Sequence, residues 1–142
     1  MATRNSSLST WASRSVSDAV PHVIRAGRAD LLAAWEGLPQ GPWRWGAAVA
    51  RVEGCFLARG GGALLIAGVV VEYGRPLHPH VLVSHRGDQT AVHLGAPAVV
   101  ERSAGVQRFL AQIAHELTAF GAGAIVATNI PELAAQAQSA PE

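Results

Sequence analysis

The chain has 142 residues, 49% of them hydrophobic and 15% charged, with a formal net charge of +1 at pH 7. This length is typical of a single domain that buries its own core. All eleven basic residues are arginines, and they are scattered along the chain. The composition therefore excludes lysine-based chemistry, and it argues against a nucleic-acid partner, since phosphate binding needs clustered positive charge.

The first 17 residues are rich in Ser, Thr and Arg and contain no acidic residue. This bias is typical of a flexible tail or an organellar transit peptide, and no apolar segment of a secretory signal follows it. Leu8 and Trp11 are large apolar side chains in this polar stretch. They predict that residues 1–17 form a flexible or partner-docking tail.

We expect that removal of residues 1–16 leaves the melting temperature nearly unchanged, because Leu8 and Trp11 lie outside the periodic pattern of the core. The same truncation is expected to weaken partner binding. Thermal unfolding and partner binding, measured on the full and shortened chains, test both expectations. A large loss of stability would instead place the tail in the core.

Apolar residues recur at helical spacing from Asp18 to Glu36. The pattern predicts an amphipathic helix, with Ser17 or Asp18 as N-cap and Gly37 as C-cap. The apolar positions of this predicted helix are Val20, Val23, Ile24, Leu31, Ala34, Trp35 and Leu38.

The middle of the chain has the alternating pattern of β-strands. Trp43 to Arg59 alternates as a half-buried strand, and Ala63 to Tyr73 is apolar on both faces, as in a central strand. Next, the segment His80 to His85 is predicted to pair with Thr90 to Leu94 around a Gly-Asp turn. A short apolar run, Ala124 to Ala127, provides an optional fifth strand.

Ser103 to Phe120 carries apolar residues at helical spacing and ends at Gly121, which predicts a second amphipathic helix. The predicted fold class is therefore α+β, with a four- to five-stranded antiparallel meander sheet flanked by an N-terminal and a C-terminal amphipathic helix. We expect one domain over residues 18–130 and a frayed C-terminal tail over residues 131–142.

Four histidines lie within sixteen residues of one another: His78, His80, His85 and His93. With Gly87 and Asp88 at the turn, Leu82 stands opposite His93, and His80 is its diagonal neighbour. His78, His80 and His93 are a candidate transition-metal site with an open position. The alternative is that these histidines face solvent or cap strands, because no acidic or thiolate ligand lies beside them in the sequence. We expect no cofactor.

Two further motifs have non-catalytic interpretations. His115 and Glu116 form half of a zincin motif, but Ala119 occupies the position of the second histidine. Cys55 is the only cysteine, so it cannot form an internal disulfide, and a buried structural thiol is expected. A single thiol also favours a reducing compartment and cytoplasmic localisation. The longest apolar run, Gly60 to Val71, is about half the roughly 20 residues of a membrane span, so none is expected.

Trp43 and Trp45 stand on either side of Arg44 at the start of the first strand. Aromatic residues beside an arginine are frequent anchors of protein interfaces, and they are equally frequent as the lid of a core. With Leu8 and Trp11, they are the predicted partner-binding residues.

The strand Ala63 to Tyr73 carries the functional hypothesis. If both predicted helices lie on one side of the sheet, its other face leaves an apolar patch that a stable monomer rarely exposes. The sequence thus favours a non-catalytic protein-binding or assembly module, a homo-oligomer or a subunit of a larger complex. The alternative is a small metal- or ligand-binding enzyme that uses the histidine-rich hairpin His78–His93. No motif identifies a family.

Overall fold

The computed structural model describes residues 20–95 and 103–139. These residues form an α+β fold in which one curled, antiparallel sheet of eight strands packs with three α-helices. The strands are β1 (His22–Ala26), β2 (Trp43–Trp45), β3 (Ala48–Leu57), β4 (Ala63–Glu72), β5 (Arg75–Leu77), β6 (His80–Arg86), β7 (Gln89–Leu94) and β8 (Ile125–Thr128). The helices are α1 (Leu31–Gly37), α2 (Ala104–Glu116), which continues as a 3-10 turn (Leu117–Phe120), and α3 (Pro131–Ser139). No helix of the described segments is long and apolar enough to cross a membrane.

The strand order is β2-β3-β4-β6-β7-β1-β8, and the short β5 pairs with the last residues of β4. The prediction of four to five strands is therefore wrong. The three extra strands are the short β5, β1, which inserts between β7 and β8, and β2, which a turn at Gly46 and Ala47 separates from β3 within the predicted strand Trp43 to Arg59. A strand whose neighbours are distant in sequence leaves no turn signal beside it, so a local pattern does not identify its partners.

The predicted helix over Asp18 to Glu36 is confirmed only from Leu31 onward, and it is wrong for the described residues before Leu31. His22–Ala26 is a strand, Gly27 then takes a left-handed φ of 81°, and α1 begins only at Leu31. The side chain of Asp30 caps α1 by accepting a hydrogen bond from the backbone N–H of Ala33 at 3.0 Å. The apparent helical period merged a β-branched strand with a short helix that follows it.

Other predicted elements are confirmed. Strand β4 covers nearly the whole predicted range, and the hairpin of β6 and β7 turns at Gly87 and Asp88 with Leu82 opposite His93. The second helix begins after the cap Ser103 and ends at Gly121, which has a φ of 100°. The run from Ala124 contributes the predicted optional strand as β8.

One hydrophobic core holds the helices against one face of the sheet. Alternate residues of β4, including Leu64, Ile66 and Val70, are fully buried together with Phe109 of α2 and Leu31 of α1. Residues 131–139, predicted as a frayed tail, form α3, in which Ala134 and Ala137 are buried in the same core. The odd-numbered residues of β4 point to the opposite face, which we call the outward face.

A buried arginine joins β1 to the end of α2. The side chain of Arg25 is 3% exposed, and burial lowers the pKa of its guanidinium. It donates hydrogen bonds to the carbonyl oxygens of Ala114, Ala122 and Gly123 and, at 3.0 Å, to Oγ1 of Thr118. The carbonyl of Ala114 lies in the last turn of α2, where carbonyls lack an intrahelical partner and carry partial negative charge, so this cation satisfies it.

Candidate functional site

Two of the three histidines of the predicted metal site share one face of the hairpin, and the third lies before it. His80 and His93 lie on the outward face of the hairpin, where His93 is opposite Leu82. His78 precedes β6, and its Nδ1 lies 3.7 Å from Oε1 of Glu53. Within residues 20–95 and 103–139, no group of three or more histidine, cysteine or acidic side chains is arranged to hold a metal ion.

A fourth histidine that sequence reasoning missed is a direct cross-strand neighbour of His93. His22 of β1 lies opposite it, and the two line a cavity of about 360 Å³ with Arg86 and Ile24. His22 lay within the segment predicted as helical. The strand pattern His-Val-Ile-Arg-Ala, with Val and Arg buried, was the signal that could have placed it.

His85, the remaining histidine of the hairpin, has a structural role. Its Nδ1 lies 3.0 Å from Nη2 of Arg28, and its Nε2 lies 2.7 Å from the carbonyl oxygen of Ala29. Since arginine only donates, Nδ1 accepts and Nε2 donates. The ring therefore ties the hairpin to the segment between β1 and α1.

The two described tryptophans of the predicted partner site have different environments. Trp43 is half-buried and packs on Phe109 of the core, with ring centroids 6.2 Å apart. Trp45 lines a cleft and lies under the guanidinium of Arg108, 5.4 Å from Cζ to the ring centroid. Leu8 and Trp11 lie outside the described residues, and their role stays a prediction.

The cleft beside Trp45 has a volume of about 480 Å³ and is formed by segments that are distant in sequence. Four segments surround it: the β2–β3 turn, the β4–β5 turn, the beginning of α2 and the first turn of α3. Its larger lining side chains are those of Arg44, Trp45, Glu72, Tyr73, Arg108 and Leu133. Sequence reasoning identified only Trp45 among these residues.

Arg108 is held on two sides of its guanidinium. Nη1 donates to Oε1 of Gln136 on α3 at 2.8 Å, and the plane lies over Trp45. Nε is buried and has no hydrogen-bond partner among the described residues. A buried donor without a partner costs free energy, so a rotation that brought this edge of the guanidinium to an acceptor would be favourable.

Glu72 is directed at the start of α2. Its Oε2 accepts a hydrogen bond from the backbone N–H of Gly105 at 3.0 Å, while Oε1 is buried without a partner in the part of the chain that the structure describes. A Cβ on residue 105 would lie 2.6 Å from Cδ of Glu72, so a glycine makes room for this contact. The carboxylate is stabilised there by the partial positive charge of the helix N-terminus.

The outward face of the sheet carries a row of side chains that crosses five strands. The pairing of the strands places one residue from each of β3, β4, β6, β7 and β1 directly opposite a residue of the neighbouring strand. In order they are Phe56, Leu65, Leu82, His93 and His22. We call this set the outward row. It contains neither a carboxylate nor an arginine, and Phe56 at its end is 60% exposed.

Cys55 is a half-buried thiol on the inner side of β3, opposite Ile66. Its burial raises the pKa of the thiol, and its backbone carbonyl accepts a hydrogen bond from Nε1 of Trp35 at 3.0 Å. A raised pKa means less thiolate at neutral pH, which is the opposite of what a nucleophile needs.

Neither protein-family models, nor curated proteins, nor solved structures match this chain.

Proposed function

We propose that this protein is a non-catalytic assembly module that associates with a second copy of itself through the outward face of its sheet. The observation that carries the proposal is the outward row, three of whose five residues are large hydrophobic side chains on a face opposite the helix-covered core. The adjacent outward position on β1 adds the half-buried Ile24.

A second copy fits this face because the outward row is self-complementary. A two-fold axis near Leu82, the middle residue of the row, would place the aromatic end of one copy against the histidine end of the other. Sheets that pack face to face in this way lie about 10 Å apart with their strands roughly 30° from parallel. A homodimer with two-fold symmetry is also the commonest soluble oligomer.

The area of the face is compatible with a weak dimer. Five strands about 4.8 Å apart and some six residues long cover roughly 20 by 24 Å, or about 500 Å² on each copy. The total of about 1,000 Å² lies at the lower limit for a specific interface. Because association also costs translational and side-chain entropy, we expect a dissociation constant on the order of micromolar.

The charge distribution does not oppose this contact. The net charge is +1, and the nearest charged side chains on β3, Arg51 and Glu53, lie 3.8 Å apart as an exposed ion pair. Two copies therefore meet without strong mutual repulsion. A polar rim around an apolar centre is the usual anatomy of an interface.

We expect the purified chain to be dimeric at tens of micromolar and to dissociate on the substitution Phe56→Glu. Phe56 is largely exposed within one copy, so the variant is expected to fold with a nearly unchanged melting temperature. In a dimer, the same carboxylate would have to leave water at the histidine end of the other copy, and the apolar contact of the phenyl ring would be lost. Sedimentation velocity over a concentration series measures both species.

Leu32→Glu is the matched control, because Leu32 is 52% exposed but lies on α1, away from the outward face. It should leave the dimer intact. A wild-type chain that stays monomeric at tens of micromolar contradicts the proposal. Dissociation by Leu32→Glu and not by Phe56→Glu contradicts it as well, since the interface would then involve α1.

A further inference from the structure

We infer that the cleft between Trp45, Tyr73 and Arg108 binds a small ligand that carries a carboxylate next to a flat apolar group. The cleft volume of about 480 Å³ is within the range of small-molecule sites. This site is separate from the proposed dimer interface, because none of its lining residues belongs to the outward row.

The charge of the cleft favours an anion. Arg44 and Arg108 contribute two guanidinium groups to its lining, and Glu72 contributes one carboxylate. That carboxylate already accepts the N–H of Gly105 at the start of α2. The positive end of the helix thus offsets this carboxylate, and the two arginines give the described lining of the cleft a net positive charge.

The hydrogen-bond geometry of Arg108 suits an oxyanion that accepts two parallel hydrogen bonds, as a carboxylate does. An arginine pairs with a carboxylate through two parallel N–H groups on one edge of its guanidinium. Gln136 binds Nη1, which leaves the edge formed by Nε and Nη2, and Nε has no partner in the described segments. A small rotation of the guanidinium over the Trp45 ring would bring this edge to the ligand.

The rest of the cleft favours a flat apolar group beside the carboxylate. The Trp45 ring is a wall of the cleft, and Leu133 of α3 contributes an aliphatic surface. Tyr73 lies at the β4–β5 turn with a positive φ of 50°, and its side chain is 87% exposed. Tyr73 lines the cleft, so its exposed aromatic ring can stack on a planar ligand there.

The test uses indole-3-acetate as the probe and indole-3-acetamide as its uncharged analogue. In ¹H–¹⁵N spectra of the full chain, the Trp45 indole N–H signal, assigned with Trp45→Phe, should shift saturably with the acid and not with the amide. The substitution Arg108→Lys keeps the charge but loses the two-pronged geometry, and we expect about tenfold weaker binding. Arg51→Gln, on the outward face, should bind as the wild type does.

Two sources of the carboxylate, a free organic acid and the C-terminus of a peptide, are distinguished by a second pair of probes. These are an N-acetylated tripeptide ending in Trp with a free carboxylate and the same peptide with a C-terminal amide. Tighter binding of the free peptide than of indole-3-acetate identifies a peptide terminus, and the reverse identifies a free acid. The inference is overturned if no probe shifts the Trp45 signal or if each amide binds as well as its acid. It is also overturned if Arg108→Lys binds the probes as tightly as the wild type does while the other signals of its ¹H–¹⁵N spectrum are unchanged.

Discussion

Replacing Arg25 by methionine is expected to lower the free energy of unfolding by about 3–5 kcal/mol. The substitution keeps a long side chain in the space but removes the guanidinium donors to Ala114, Thr118, Ala122 and Gly123. Two of the carbonyl oxygens that Arg25 satisfies, those of Ala114 and Ala122, are in buried hydrogen bonds. Each unsatisfied buried acceptor costs about 1–3 kcal/mol.

Urea unfolding of the variant and the wild type measures this loss, and Arg59→Gln is the control. Arg59 is an exposed residue next to the β3–β4 turn, and its substitution should change stability by less than about 0.5 kcal/mol. Arg25→Lys keeps the charge but has fewer donors, so we expect an intermediate loss of unfolding free energy. If the methionine variant does not fold, the lysine variant is measured in its place. A loss below about 1 kcal/mol in both Arg25 variants would show that the helix end is satisfied in another way.

Gly68→Ala is expected to destabilise the protein by about 1–3 kcal/mol through overpacking. Gly68 is buried in the middle of β4, and a Cβ there would lie 2.4 Å from Cε2 and 2.5 Å from Cζ of Phe109. Phe109 is fully buried and packs on Trp43, so its ring has little room to move. Thermal and urea unfolding measure the loss.

Gly62→Ala is the matched control for this prediction. Gly62 lies in the β3–β4 turn, and a Cβ added there would meet nothing within 4 Å, so the same change should be nearly neutral. A double variant that adds Phe109→Leu tests the cause. If the clash with the ring is responsible, the double variant will lose less stability than the sum of the two single losses. Strictly additive losses would contradict it.

The parts of the fold that were predictable are those specified by neighbours in sequence. The hairpin of β6 and β7 was predictable because a Gly-Asp turn and two alternating segments define its register locally. The helix from Ala104 was predictable because its apolar face repeats over several turns and Gly121 ends it. In both cases, local propensity and the final packing favour the same structure.

The segment around β1 was not predictable for the opposite reason. Val23 and Ile24 fit a helical repeat when they are read together with Leu31, although Gly27 interrupts the chain between them. The strand exists because β7 and β8 pair with it on both sides. Such pairing is a tertiary effect that overrides weak local preference.

The candidate site was predictable only in part. Trp45 stood out as one of a pair of aromatic residues, but the residues that meet it in the cleft, Glu72 and Arg108, have no sequence signal in common. Likewise, the pairing of His22 with His93 depends on the position of β1 in the sheet. Groups from separate elements form a site only through the topology, which a single sequence does not contain.

The place of β1 between β7 and β8 has a consequence for the order in which the chain can fold. The backbone N–H of His22 bonds to the side chain of Asn129, which is 107 residues away, and Thr128 bonds to the backbone carbonyl of His22 across 106 residues. During synthesis, β3, β4, β6 and β7 can pair in turn as they emerge. The pairing of β1 cannot be completed until both of its neighbours, β7 and β8, have been synthesised. Closing such long loops carries an entropic cost before any contact is gained, which slows folding. This half of the sheet is therefore completed late, and until then the edge of β7 is open to any extended segment that reaches it first.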